Sequence, residues 1–262
     1  MSSGKTGGSS FLHAGRMLAV CVMLSFASFA PLASDTAFAQ DDNAVVATRL
    51  ADLLRSARTV ISKNQDLIND PSKGDKGLTG DRVLAEAIAL YTERTGEDPR
   101  DTDPASREGR LLRAQMEAIQ EVVEENQSTI NVEDVGFKGF IPAIFARLVN
   151  EKFGERVGDE ARIKVTAPEE LVRNRKARPD KWETSVIEDK FKAAQWPKGD
   201  PFSESVQVDG HPAFRIIVPE YYAASCLSCH GEPAGDVDIT GYPKEGGKEG
   251  DLGAAISITL FE

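Results

Sequence analysis

The chain has few cysteine and histidine residues, two side-chain types that catalytic and metal-binding sites often use. Its 262 residues include only three Cys and three His. It contains no G-x-S-x-G sequence, no glycine-rich phosphate loop and no H-E-x-x-H sequence, so the motifs typical of many hydrolases, nucleotide-binding enzymes and metalloproteases are absent. The sequence therefore predicts that the protein is not an enzyme, apart from chemistry that a bound group supplies.

Excess positive charge and long apolar runs are also absent from most of the chain. The 42 acidic residues outnumber the 31 basic ones, and the net charge is −11. An acidic protein is a poor partner for nucleic acid or for an anionic membrane surface. Beyond the N-terminal leader, no stretch approaches the length of a membrane span. We therefore expect neither a nucleic-acid partner nor a stable membrane span in the mature chain.

The N-terminus has the pattern of an export signal. Lys5 and Arg16 make a basic leader, residues 17–33 form an apolar core, and Ala37-Phe38-Ala39 supplies the small-x-small cleavage pattern. The sequence predicts that residues 1–39 are a signal peptide, that the mature chain begins at Gln40, and that the protein is periplasmic.

Cleavage at this point removes Cys21 and His13 and leaves the motif Cys226-x-x-Cys229-His230 with both remaining cysteines. C-x-x-C-H is the attachment motif of c-type haem. Its two thiols can reach the vinyl groups on one porphyrin edge, and the adjacent His presents a ring nitrogen to the iron. The sequence predicts one covalent haem c, attached through Cys226 and Cys229, with His230 as an axial iron ligand and no cysteine left for a disulfide.

The ligand on the opposite, distal side of the iron stays open. Met116 is the one Met left after cleavage, and a thioether is a known haem ligand, but it lies on an apolar helix face that is typical of a core. His211 follows a hairpin turn, where a His is usually solvated. A vacant or water-filled site is the third alternative. Tyr221 and Tyr222 are expected to pack on the haem or on the sheet.

The first half of the chain has helical periodicity and the second half is mixed. Apolar side chains recur at helical spacing in several segments, and Ser106 is a predicted N-cap. These segments are 44–62, 81–94, 107–127, a helix starting at Pro142, and 180–194. The residues predicted to face the core are Val46, Leu50, Leu53, Ala57, Ile61, Leu84, Ile88, Tyr91, Leu112, Ile119, Val123, Phe145, Leu148, Val149, Phe153, Trp182, Val186 and Phe191.

Strand patterns begin after the fourth helix. Residues 161–166 alternate, residues 203–208 and 213–218 form a hairpin around Asp209-Gly210, and residues 252–260 read as a one-sided antiparallel strand. Helices followed by a small antiparallel sheet predict the α+β class. The haem motif lies between the hairpin and the last strand, so we expect the haem to be held against a sheet.

Several spaced motifs resemble a known family, the bacterial c-type haem domain of unknown function with a PAS-like fold. They are 137–143 (FKGFIPA), 178–180 (RPD), 182–183 (WE), 219–222 (PEYY), 226–231 (CLSCHG) and 250–257 (GDLGAAIS). The resemblance covers residues 137–260 well and 44–136 loosely. It implies a PAS-like antiparallel sheet with flanking helices and a helical N-terminal half, divided as a signal peptide (1–39), a helical region (40–136) and a PAS-like haem domain (137–262).

The resemblance also bears on the haem contacts. It allows a helix Cys as the distal ligand, which cannot apply here because the mature chain has no third Cys. The basic run at 173–178 and Lys138 are candidate partners for the haem propionates, since charge-assisted hydrogen bonds suit such carboxylates. The alternative is that both are ordinary solvated loops.

The resulting functional expectation is a periplasmic monohaem protein that acts as a redox or diatomic-gas sensor module. A redox or signalling protein partner would read its state. One alternative is an electron-transfer cytochrome, in which Met116 or His211 closes the distal site. A minor alternative is a haem enzyme with an open iron site.

Overall fold

A computed structural model describes residues 33–262, with side chains from residue 42 onward. Residues 1–32 of the predicted leader, with Lys5, Arg16 and Cys21, lie outside the described residues, whereas its last part, 33–39, is in the first helix. Residues from Ser34 to Glu262 form one compact unit. The helices are α1 (Ala33–Lys63), α2 (Gln65–Asn69), α3 (Gly80–Thr95), α4 (Arg107–Glu125), α5 (Gln127–Ile130), α6 (Pro142–Val157), α7 (Lys181–Val186) and α8 (Leu227–His230).

The helices begin where the sequence places helix-starting residues. The Ser106 hydroxyl accepts from the Gly109 N–H at the start of α4, and Pro142 opens α6. Asp180 and Glu183 form a reciprocal capping box at α7. The helix predicted at 180–194 is α7 continued by a π-helical turn over Ile187–Phe191, so it ends three residues early.

The strands form one antiparallel sheet in the order β1-β4-β3-β2, which confirms the α+β class. The hairpin turn lies at Asp209 and Gly210, whose φ angles are 53° and 85°. Positive φ at both central residues suits the right-handed twist of the paired strands. The strands are β1 (Ala161–Thr166), β2 (Phe202–Val208), β3 (His211–Tyr221) and β4 (Leu252–Phe261).

The last strand differs from its prediction. β4 is antiparallel as expected, but it lies between β1 and β3 and is buried on both faces rather than one. Ile256, Ile258 and Leu260 join the core under the helices. The small residue Ala255, on the other face, lies under a second layer formed by α7 and its π-helical turn. The side chains on that face are small because a second layer packs closely against them, and not because they are exposed to solvent.

One apolar core joins the helices to the sheet. It includes fully buried residues of α1, α3, α4 and α6, such as Leu50, Leu112 and Phe153, together with Phe214 and Ile258 of the sheet. Helices on both sides of the boundary predicted at residues 136/137 contribute to this core. Most residues predicted to face it are buried, whereas Leu84 and Leu148 are partly buried against it. Val186, Phe191 and the partly buried Trp182 instead pack in the second layer.

The sheet has two ends, which we call the hairpin end (Asp209 and Gly210) and the motif end (the exit of β3 and entry of β4). α1 connects them. At the hairpin end its residue Asn43 accepts from Arg107, whose guanidinium also donates to the Phe261 carbonyl. Near its other end the Ser62 hydroxyl donates to Ser225, just before the motif. Among the described residues, no helix is long and apolar enough to cross a membrane.

Candidate functional site

The C-x-x-C-H motif forms a single helical turn directly after β3. Cys226 precedes α8, and the Gly231 N–H closes the turn on the Leu227 carbonyl at 2.9 Å. Because residues three apart lie on the same side of a helical turn, the two thiols face a common side. Both cysteines are free and partly exposed. The turn therefore offers two available thiols and a neighbouring imidazole.

The imidazole of His230 is held on two sides. Its Nδ1 lies 2.9 Å from Oε2 of Glu245, and its ring stacks on Tyr222 with centroids 5.1 Å apart and planes 20° apart. Because a carboxylate accepts hydrogen bonds, we assign the ring proton to Nδ1. That tautomer leaves the lone pair of Nε2 for a metal, the arrangement typical of histidine ligands oriented by a carboxylate.

Glu245 is in turn fixed by Arg173. The guanidinium donates to both carboxylate oxygens, at 2.7 and 2.9 Å. Burial alone would raise the pKa of Glu245, but the hydrogen bonds from Arg173 and His230 outweigh it and hold that pKa below its usual range. The carboxylate beside His230 is therefore ionised at neutral pH and fixed in orientation.

Arg173 also fastens the rest of the loop that follows the motif, residues 231–251, here called the motif loop. It donates to Asp238 at 2.6 Å and to the Cys229 carbonyl at 3.0 Å. The Asp238 carboxylate accepts further bonds from Thr240 and from the Tyr242 N–H, and its pKa is lowered although burial opposes this. One arginine thus ties the motif turn to two carboxylates of its loop, Asp238 and Glu245.

Two members of the basic run have partners within the protein. Arg173 is committed to Glu245, Asp238 and the motif backbone, while Lys176 is an exposed residue paired with Glu151. Lys138 is buried, and its ammonium donates to the Ile68 and Asp70 carbonyls at 2.6 and 3.0 Å. Lys138 is therefore a structural side chain, since its donors serve the end of α2.

Tyr222 occupies a slot lined by glycines. A Cβ at Gly247 or Gly253 would overlap the Tyr222 ring, so only glycine permits this approach. The phenol oxygen is buried and has no hydrogen-bond partner within the part of the chain that the structure describes, and burial raises the pKa of Tyr222 to about 12. The ring packs on His230, whereas the neighbouring Tyr221 accepts from the Gly199 N–H at 3.1 Å.

α1 contributes two arginines at the motif end. Arg55 Nε and Arg58 Nη1 donate to the two oxygens of Glu220 at 2.6 and 2.9 Å. The Nε of Arg58 is buried and has no hydrogen-bond partner among the described residues. This helix therefore presents an uncommitted buried donor close to the exit of β3.

The structure does not bring His211 to the motif. His211 is exposed at the first position of β3, and Tyr221, five residues before Cys226, is its last. A strand of eleven residues is about 33 Å long, at roughly 3.3 Å per residue. His211 therefore lies at the hairpin end, opposite His230.

Met116 is also separate from the motif. It is partly buried against the core under the helices. α4 starts at Arg107 beside the hairpin end, and nine helical steps place Met116 about 14 Å along its axis. Asn43 and Ser62 of α1, which mark the two ends of the sheet, are about 28 Å apart on the same measure. Met116 thus lies midway along the helical layer, short of the motif end.

Glu245, Asp238 and Arg58 are site residues that sequence reasoning missed. Glu245 and Asp238 lie in a Gly- and Pro-rich segment that has no periodicity. Two features of the sequence could have pointed to them. The loop directly after the C-x-x-C-H motif contains acidic residues, and the basic run at 173–178 had no assigned partner. The pairing of Arg173 with Glu245 and Asp238 depends on how the loop folds back against residue 173, which the local sequence does not show.

The fold and site define an α+β protein in which a C-x-x-C-H turn lies at one end of an antiparallel sheet, with its histidine oriented by a carboxylate. Residues 101–260 match the family model for Tll0287-like proteins. The chain belongs to this Tll0287-like family. The match includes α4, which precedes the segment where the sequence motifs are densest. No curated protein and no solved structure matches the chain.

Proposed function

We propose that this protein is an exported, periplasmic monohaem c-type protein of PAS-like architecture that senses redox state or a diatomic gas. Cys226 and Cys229 would carry the haem through thioether bonds, and His230 would be its axial ligand. The observation that carries the proposal is the pairing of two free thiols on one side of a turn with an imidazole whose Nδ1 is already bonded.

The residues around the motif have the chemistry needed to hold a haem iron and a haem propionate. The donor set is two thiols and a neutral imidazole, which is the set that c-type attachment requires. The buried, unpaired Nε of Arg58 would have a partner in a propionate, as charge-assisted bonding favours. When bound, the haem would supply one-electron chemistry and an iron site for small ligands.

The sensor interpretation is supported by the positions of the two distal-ligand candidates. His211 is at the hairpin end and Met116 is in the middle of the helical layer. An iron without a Met or His on its distal side can take a diatomic ligand, and a partner protein would read the resulting change. An electron carrier would instead need a strong sixth ligand that keeps the iron closed.

Optical spectra of the matured protein, oxidised and reduced, with and without carbon monoxide, test this proposal. We expect the reduced bands to shift on adding carbon monoxide. We also expect Met116→Ala and His211→Ala to leave the bands unchanged. A six-coordinate reduced haem that ignores carbon monoxide and has a high potential would instead indicate an electron carrier. A band shift in either variant would identify the distal ligand.

A further inference from the structure

We propose that Glu245 is a positioning residue that sets how strongly His230 donates electrons to a bound iron, and thereby lowers the reduction potential. This inference rests on the haem attachment proposed above. Its basis is the 2.9 Å contact between Glu245 Oε2 and His230 Nδ1. Backbone carbonyls and waters are weaker acceptors for such a proton than an ionised carboxylate.

A carboxylate acting on Nδ1–H makes the imidazole a stronger donor at Nε2. A stronger axial donor favours the more positively charged ferric iron over the ferrous one. The contact is also partly shielded from water, since the Glu245 side chain is 17% exposed, and a hydrogen bond is electrostatically stronger in such surroundings. Both effects act in the same direction, towards a lower potential.

Arg173 opposes this effect in part, because its charge draws electron density from Glu245. However, Arg173 also bonds Asp238 at 2.6 Å. Two carboxylates therefore face one guanidinium, and the cluster behind His230 keeps a net negative charge. Arg173 fixes the direction of the Glu245 carboxylate without cancelling its charge, so the direct contact with the imidazole decides the sign.

The test compares the full-length, haem-loaded protein with three variants. Glu245→Gln keeps an accepting oxygen but removes the charge. Glu245→Asp keeps the charge but withdraws it from Nδ1 by one methylene group. Glu232→Gln is the matched control, because it removes an equal charge two residues from His230 on a side chain that is 68% exposed. The readouts are the midpoint potential and the iron–imidazole stretching band of the ferrous protein in resonance Raman spectra.

We expect Glu245→Gln to raise the equilibrium constant for reduction about tenfold or more, which is about 59 mV for one electron. Glu245→Asp should move it in the same direction, and Glu232→Gln by less than about twofold. The stretching band should fall in frequency only in the two Glu245 variants, as expected for a weakened donor.

Equal potential shifts in Glu245→Gln and Glu232→Gln, with an unchanged Raman band, would overturn the inference. If Glu245→Gln fails to fold, Glu245→Asp decides the matter, and an unchanged potential there contradicts it. A wild-type protein that carries no haem contradicts the proposed function itself. A haem-loaded protein whose potential ignores Glu245 contradicts only the role given to this residue.

Discussion

The helical layer and the motif loop, which meet at the motif end, are built from different interactions. The helical layer buries large apolar side chains from four helices against the sheet. In the motif loop only Gly231 and Asp238 are buried, and charged hydrogen bonds to Arg173 hold it in place. The layer therefore depends on many apolar contacts, whereas the loop depends on backbone hydrogen bonds and on one side chain, Arg173, that binds two of its carboxylates. Substitutions in the layer should therefore affect the stability of the whole fold, whereas substitutions in the loop should act locally.

The largest effect is expected in the helical layer. Phe153→Ala removes a fully buried ring and should lower the free energy of unfolding by about 3–5 kcal/mol. Urea unfolding followed by circular dichroism measures this loss. The exposed neighbour Glu155 provides the control, because Glu155→Ala should stay within about 0.5 kcal/mol. A loss below about 1 kcal/mol for Phe153→Ala would show that the layer is not the main source of stability.

A smaller and more local effect is expected from Arg173→Ala. This change leaves the buried carboxylate of Asp238 and the partly buried carboxylate of Glu245 without their cation, a loss of at most about 3–5 kcal/mol. Backbone hydrogen exchange should speed up at least tenfold in the motif loop while the exchange of α4 and α6 changes little. Lys176→Ala, in the same basic run, is the control and should leave hydrogen exchange unchanged both in the motif loop and in α4 and α6. Uniform acceleration across the chain would mean that loop and layer unfold together.

Acid should weaken the motif loop. The pKa of Asp238 is lowered in the folded protein, so its contribution to stability is complete above its unfolded value of about 3.9. That contribution is lost as the pH falls through this value and then through the still lower folded pKa. The difference between the unfolding free energies of the wild type and Asp238→Asn, measured between pH 7 and pH 3, should be constant at higher pH and should begin to narrow below about pH 4. A constant difference across that range would contradict the role of this ion pair.

The smallest effect is expected from Tyr222→Phe. From residue 42 onward the structure gives the buried phenol oxygen no hydrogen-bond partner, and the ring keeps its stacking on His230. Removing an unsatisfied hydroxyl should change stability by about 1 kcal/mol or less, in the stabilising direction. Thermal unfolding of the purified protein checks this. A destabilisation of more than about 1 kcal/mol would indicate that the hydroxyl has a partner, such as a water molecule.

The two regions also differed in how far the sequence could predict them. Helical periodicity identified α1, α3, α4 and α6, and the Asp209-Gly210 turn identified the hairpin, because apolar spacing and turn chemistry are local properties. The double-sided burial of β4 was missed, since small residues such as Ala255 look exposed until α7 covers them. The contacts of Glu245 with Arg173 and His230 join segments far apart in the chain, and no local pattern encodes them.

The central claim is that the motif turn carries one covalent haem, and the mass of the denatured protein tests it most directly. The protein should be produced with the c-type haem maturation system and unfolded before intact mass spectrometry. We predict that the wild type retains the added mass of one haem and that the double variant Cys226→Ser, Cys229→Ser retains none. A wild-type mass without haem, with Cys226 and Cys229 reduced or joined as a disulfide, would contradict the claim.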